Sequence, residues 1–152
     1  MKIEGRILCL DVGDRRIGLA LSDGLQLTAQ PFKIIDRKSG NIYDQLAEII
    51  EDFEVGAILF GIPRNKDNRL GTQAEKTREF MRRLSGKFPG LSLFGWDERY
   101  SSKEAERIID LEQTTWQQKK KALDKVAAAI ILQGFLERLR DSSFQPTPYN
   151  FS

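Results

Sequence analysis

Three widely separated acidic positions carry the chemistry that this sequence could perform: Asp11, the pair Asp97 and Glu98, and Asp124. Asp11 closes the apolar run Ile7-Leu8-Cys9-Leu10, and Asp97-Glu98 follow the run Leu91-Ser92-Leu93-Phe94. A carboxylate at the end of a buried strand stays solvated while the sheet fixes its backbone, which suits a metal ligand. The plainer reading of Asp11 is a turn-opening residue whose side chain accepts from nearby N–H groups. Ends of neighbouring strands in an open sheet lie close together, so Asp97 and Glu98 can approach Asp11, and like charges crowded there need a cation. The alternative is a solvated strand end with Glu98 paired to Arg99 or Lys103. Asp124 precedes Ala127 and Ala128 by one helical turn, at the edge of a face formed by Val126, Ala127, Ile130, Ile131 and Gly134. An exposed Asp124 paired with Lys120, Lys121 or Lys125 fits the same spacing, and spacing alone does not decide between the two.

Carboxylates converging from two strand ends and a helix would hold two divalent ions, roughly 3.5–4 Å apart in such sites. One ion would make a bound water nucleophilic near neutral pH, and the other would stabilise the leaving oxygen of a phosphodiester. The rest of the composition points the same way. The chain has no histidine and one cysteine, Cys9, which excludes Ser-His and Cys-His nucleophiles, imidazole zinc sites and thiolate clusters. Carboxylates, lysine or an oxygen-bound hard ion such as Mg2+ or Mn2+ remain. Phosphodiesters need cations nearby. Arg15 and Arg16 flank Asp11, Arg64 and Asn65 open a polar loop, Arg99 follows Glu98, and Lys121 lies one turn before Asp124. These six are the candidate substrate contacts, whereas Arg82, Arg83 and Lys87 read as ordinary solvated charges. The formal net charge of +2 permits a nucleic-acid partner without arguing for one.

The elements that must position these residues follow from the hydrophobic pattern. Apolar runs predict strands at Ile7–Leu10, Ile17–Leu21, about Phe32–Ile35, Gly56–Phe60 and Leu91–Phe94, with Gly13-Asp14 turning the first hairpin. Pro31 makes the start of the third strand uncertain. Helical spacing begins at Ile42, and capping boxes at Thr72/Glu75 and Ser101/Glu104 open further helices. The last and longest helix runs from Thr115 to about Arg140. A hairpin meander followed by alternating strands and helices predicts an α/β fold, a mixed sheet with helices packed on its faces. The 152 residues suit one domain over 1–140, and residues 141–152, with two prolines and no periodicity, read as a loosely ordered tail. No apolar stretch is long enough to span a bilayer, the N-terminus does not read as a secretory signal, and a single buried-type cysteine fits a reducing cytoplasm.

Four blocks of this chain resemble the YqgF family, a branch of the RNase H-like fold whose members are described as Holliday-junction resolvases and ribosomal RNA processing nucleases. They are Leu10–Gly18 running on to Asp23, Phe60–Asp67, Asp97-Glu98-Arg99 with Ser101-Ser102 and Glu104-Ala105, and Asp124 followed by Val126–Leu132. The resemblance spans Leu8 to about Leu139. It implies that Asp11, Glu98 and Asp124 are the catalytic carboxylates of a metal-dependent nuclease acting on precursor rRNA or branched DNA. A homodimer would be expected only for a four-way junction, which has two strands to cut. The chain departs from the family at Asp14 and Arg15 and at Arg64, Lys66 and Asn68, where Leu, Met and Gly are common, so any substrate contacts of the 64–71 loop would be expected to differ from those of relatives. Two other classes fit less well. An actin- or sugar-kinase-type ATP site needs a second domain, and in a non-catalytic binding or antitermination module three such acids would weaken binding to phosphate unless metal were present.

Overall fold

A computed structural model of the chain describes residues 3–64, 70–98 and 116–151, the side chains of 116–125 excepted. The five strands are β1 (Arg6–Val12), β2 (Arg16–Ser22), β3 (Ala29–Asp36), β4 (Val55–Ile62) and β5 (Ser92–Asp97). Helices α1 (Ile42–Asp52) and α2 (Thr72–Lys87) flank β4, and α3 (Trp116–Leu139) follows β5. The sheet order is β3-β2-β1-β4-β5; β1, β2 and β3 pair antiparallel, and β1, β4 and β5 pair parallel. This is the mixed sheet read from the sequence.

Each strand is longer than its apolar run because flanking residues, polar ones such as Arg6, Asp11 and Arg16 among them, continue the ladder. Pro31 falls inside β3 rather than before it. It is tolerated because β3 is an edge strand and the register shifts between Leu19 and Ala20, beside the Ala20–Pro31 pair. The first hairpin closes through Gly13 N–H donating to the Arg16 carbonyl over 2.9 Å. A Cβ on Gly13 would stand 2.8 Å from that carbonyl oxygen, so the turn requires glycine. The capping box at Thr72 is not formed: Gly71 is the N-cap, without a side-chain bond, and Thr72 is already helical. The helix expected from Ser101 lies outside the described residues.

Alternation along the strands divides the core into two layers. Leu8, Leu10, Ile58, Phe60 and Leu93 face α1 and α2, whose Leu46, Ile49, Phe80, Met81 and Leu84 cover them. Ile7, Cys9, Ala57, Leu59 and Phe94 face α3 through Ala128, Ala129, Ile131, Leu132 and Phe135. Ala128 is fully buried, and the small side chains of the alanine run let α3 approach the sheet closely.

Residues 141–151 correct the expectation of a loose tail. Phe144 packs edge-on against Phe135, with ring centroids 6.2 Å apart. Further on, Tyr149 N–H donates to the Leu93 carbonyl over 2.7 Å, and its ring meets Phe60 at 5.1 Å. Phe151 stacks on Phe60, and its carbonyl accepts from Arg78 of α2. The segment has no periodicity because single aromatics anchor it at separated points. Tyr149→Ala is therefore expected to lower stability by about 2 kcal/mol, less than a fully buried aromatic, read as a lower urea midpoint at unchanged slope.

Candidate active site

Asp11 and Glu98 reach the same face by period-two alternation. Asp11 follows Cys9 on the side of β1 that faces α3, and Glu98 follows Phe94 and Trp96 on the same side of β5. Trp96 rests against Phe135 of α3 at 5.8 Å, which makes it a packing residue at the rim. The strand between is β4, where Gly61 pairs with Trp96. Glu98 folds its side chain over Gly61: a Cβ there would lie 2.8 Å from Glu98 Cγ and 2.9 Å from Cδ. On the other side Asp11 has Gly18 as its cross-strand partner, which presents no side chain of its own. Two glycines thus leave space in which the two acids meet.

The carboxyl groups of Asp11 and Glu98 are hydrogen-bonded to each other, and Glu98 is largely desolvated. Burial first, then the charge of Asp11 and the shared hydrogen bond, push Glu98 up to about 9, with a smaller contribution from Asp97. The same two negative charges, added to complete burial, raise Cys9 well above the usual thiol range and keep it an inert core residue. Adjacent carboxyls in this state either share a proton or hold a cation. The donor set is all oxygen, which suits a hard divalent ion. Among the described residues no group of three acidic, histidine or cysteine donors forms. Residue 124 lies in α3, one turn before Ala128 on the helix that packs over this face. Its side chain is outside the described residues.

Asp97, the other candidate ligand, points the opposite way. It follows Gly95, whose missing Cβ faces Ile62 and Tyr149 on the α1–α2 side. Its carboxylate there accepts from Arg64 Nε at 3.1 Å and lies 3.0 Å from Nη2 in an ion pair. Arg64 is thereby fixed at the sheet end that bears the acids. Arg15, in the β1–β2 turn, and Arg16, the first residue of β2, lie at that same end. Asn65 and Arg99 lie outside the described residues, as does the side chain of Lys121.

One cation escaped the sequence reading. Arg37, just after the end of β3, donates from Nη1 to the Gly13 carbonyl over 2.7 Å and lies 4.9 Å from the centre of the Phe80 ring. It is held beside the Asp11 turn, and nothing in its local sequence marks it. It lines a groove of about 490 Å³ with Asp14, Lys76, Glu79 and Arg83. That groove is of mixed charge and contains neither Asp11 nor Glu98.

Comparisons with known proteins give the family of the chain. The family described as RuvX: Holliday junction resolvase matches residues 5–138. A protein of Caldicellulosiruptor saccharolyticus, provisionally named pre-16S rRNA nuclease, is 40% identical over 134 residues, covering 87% of this chain and 96% of its own length. One of the same name from Halothermothrix orenii is 45% identical over 132 residues, covering 86% and 94%. Among solved structures, Thermus thermophilus RuvC in complex with a Holliday junction substrate aligns with a TM-score of 0.56 at 13% identity, over 95% of this chain and 100% of that one. That last likeness shows the fold, a mixed RNase H-like sheet, and no more. The sequence matches decide the rest: this chain belongs to the RuvX, or YqgF, family of nucleases.

Proposed function

We propose that this protein is a metal-dependent endonuclease that hydrolyses phosphodiesters in structured nucleic acid, with precursor 16S rRNA or a branched DNA junction as the substrate. The observation that carries the reading is the pair of hydrogen-bonded carboxyls, Asp11 and Glu98, gathered on the face covered by α3. Asp11 and Glu98, with Asp124 as the third acid, would hold one or two Mg2+ or Mn2+ ions. When bound, such ions supply Lewis-acid charge to the phosphodiester and acidify water. The chain's own contribution is placement. β1 and β5 fix the two carboxylates, Gly61 and Gly18 keep the space around them open, and Arg15, Arg16 and Arg64 put cations where flanking phosphates would lie.

The names of the relatives favour ribosomal RNA, and the family description favours a junction. A panel of labelled four-way DNA junctions and precursor rRNA fragments, incubated in Mn2+ and separately in EDTA, tests both. The expected result is cleavage of one class in Mn2+ and none in EDTA. Cleavage that continues in EDTA would end the metal-dependent reading, and absence of any cut on either substrate would end the nuclease reading.

A further inference from the structure

Arg64 and Asp97 stand beside the acidic pair but on the other face of the sheet, 33 residues apart in sequence. Both contacts fall on one carboxylate oxygen, Oδ2, and use the Nε–Nη2 edge of the guanidinium, so the pair itself does not engage Nη1. The two side chains are 27% and 18% exposed, which distinguishes this bridge from Lys76–Asp14, at 59% and 68%. A bridge of that partial burial holds its geometry better than a fully solvated one. Its location is set by register. Asp97 pairs with Ile62 at the ends of β5 and β4, and it is joined through the backbone to Glu98.

An anionic strand approaching this sheet end meets Asp11, Asp97 and Glu98. Arg64 is a described cation tied by its side chain directly to one of those acids. A planar guanidinium already oriented by a carboxylate loses less rotamer freedom when a phosphate arrives. It can still offer its remaining N–H groups to that phosphate. We propose that Asp97 is a positioning residue, holding Arg64 at the mouth of the acidic site so that its guanidinium contacts a backbone phosphate of the bound strand. This rests on the nuclease reading above.

The test is a set of variants measured in two ways, by KM and kcat in Mn2+ and by equilibrium binding of a labelled RNA hairpin and a labelled DNA junction in EDTA over a range of salt. Arg64→Met is expected to raise KM about tenfold while kcat stays within about twofold. It also flattens the log Kd against log salt slope by about 0.7–0.9, the amount expected for one lost phosphate contact. Arg64→Lys keeps most of the slope but still raises KM, because a point charge does not reproduce the fork. Asp97→Asn raises KM and Kd even though it removes a negative charge from the path of an anion, and it has no further effect on top of Arg64→Met. Tighter binding by Asp97→Asn would overturn the proposal, since Asp97 would then only neutralise Arg64. An unchanged salt slope in Arg64→Met would overturn it as well. If the wild type cuts neither substrate, the nuclease reading fails by itself, and the salt slopes still report on the phosphate contact.

Discussion

Glu98→Gln is expected to abolish metal-dependent cleavage, by about a thousandfold or more, and at the same time to stabilise the metal-free protein in alkaline solution. The loss of activity follows from removing one of two carboxylates that share a site: several kcal/mol of charge stabilisation at the reacting phosphate translate into that factor. The gain in stability follows from linkage. Glu98 titrates at about 9 in the folded chain against 4.5 in the open one. Between those values the folded state carries a proton that the unfolded state has released, so stability falls as pH rises. The favourable contribution is complete below the unfolded value and is lost by the time pH passes about 9. Glutamine cannot ionise, and its amide can donate to Asp11 in place of the shared proton. Thermal melts in EDTA should therefore show the wild type losing midpoint temperature across this window, with the variant much flatter. Adding Mg2+ or Mn2+ at about pH 8 should raise the wild-type midpoint and leave the variant's unmoved, since only a site with both carboxylates binds the ion. Asp11→Asn shares the loss of cleavage and of the metal-induced shift. Cleavage retained by either variant would remove these two acids from the mechanism.

How much of this was legible beforehand depends on whether the controlling interaction is local. The strands were, because Ile7–Leu10 and Gly56–Phe60 are buried on both faces and read as continuous apolar runs. The meeting of Asp11 with Glu98 was legible as proximity of strand ends but not as a shared face, which depends on where α3 packs. Asp97 shows a signal that was present and not used. Neighbouring residues at a strand end point to opposite sides, so Asp97 and Glu98 could not both join Asp11. The packed tail was not legible at all. Tyr149 and Phe151 owe their order to Phe60, far away in sequence, and local composition carries no trace of that contact. The same holds for Arg37, whose place is set by the Gly13 carbonyl and the Phe80 ring. The Thr72 capping box failed by one residue, a margin ordinary for helix ends. Asp124 stands between these cases. Its helix is as read, and its carboxylate is outside the described residues.

The second large effect is expected from a residue with no functional group. Gly61→Ala should reduce cleavage nearly as far as removal of Glu98 does, while the protein still unfolds cooperatively. An added Cβ would come within 2.8 Å of Glu98 Cγ and 2.9 Å of Cδ, well inside contact distance. One partner has to move. The backbone of β4 is held on both sides by β1 and β5, whereas the atoms met are those of the flexible Glu98 side chain, just past the end of β5, so the side chain gives way rather than the sheet. Swinging off Gly61 takes the Glu98 carboxyl away from Asp11 and into water. Both causes of its raised pKa then weaken, and the alkaline loss of stability described for the wild type should shrink with them. Gly86→Ala is the control, because that helical position has open space around its missing Cβ. It should leave cleavage intact and raise stability by about 0.5–1 kcal/mol. Should Gly61→Ala keep full activity and a normal metal-induced shift in melting, Glu98 would not need the place it occupies. The acidic pair would then have to be rebuilt around another carboxylate. If the variant is inactive but retains the wild-type pH profile, the lesion lies in the sheet and not in the seating of Glu98. Only joint loss of activity, of the metal shift and of the alkaline slope assigns to Gly61 the task of making room for the acid.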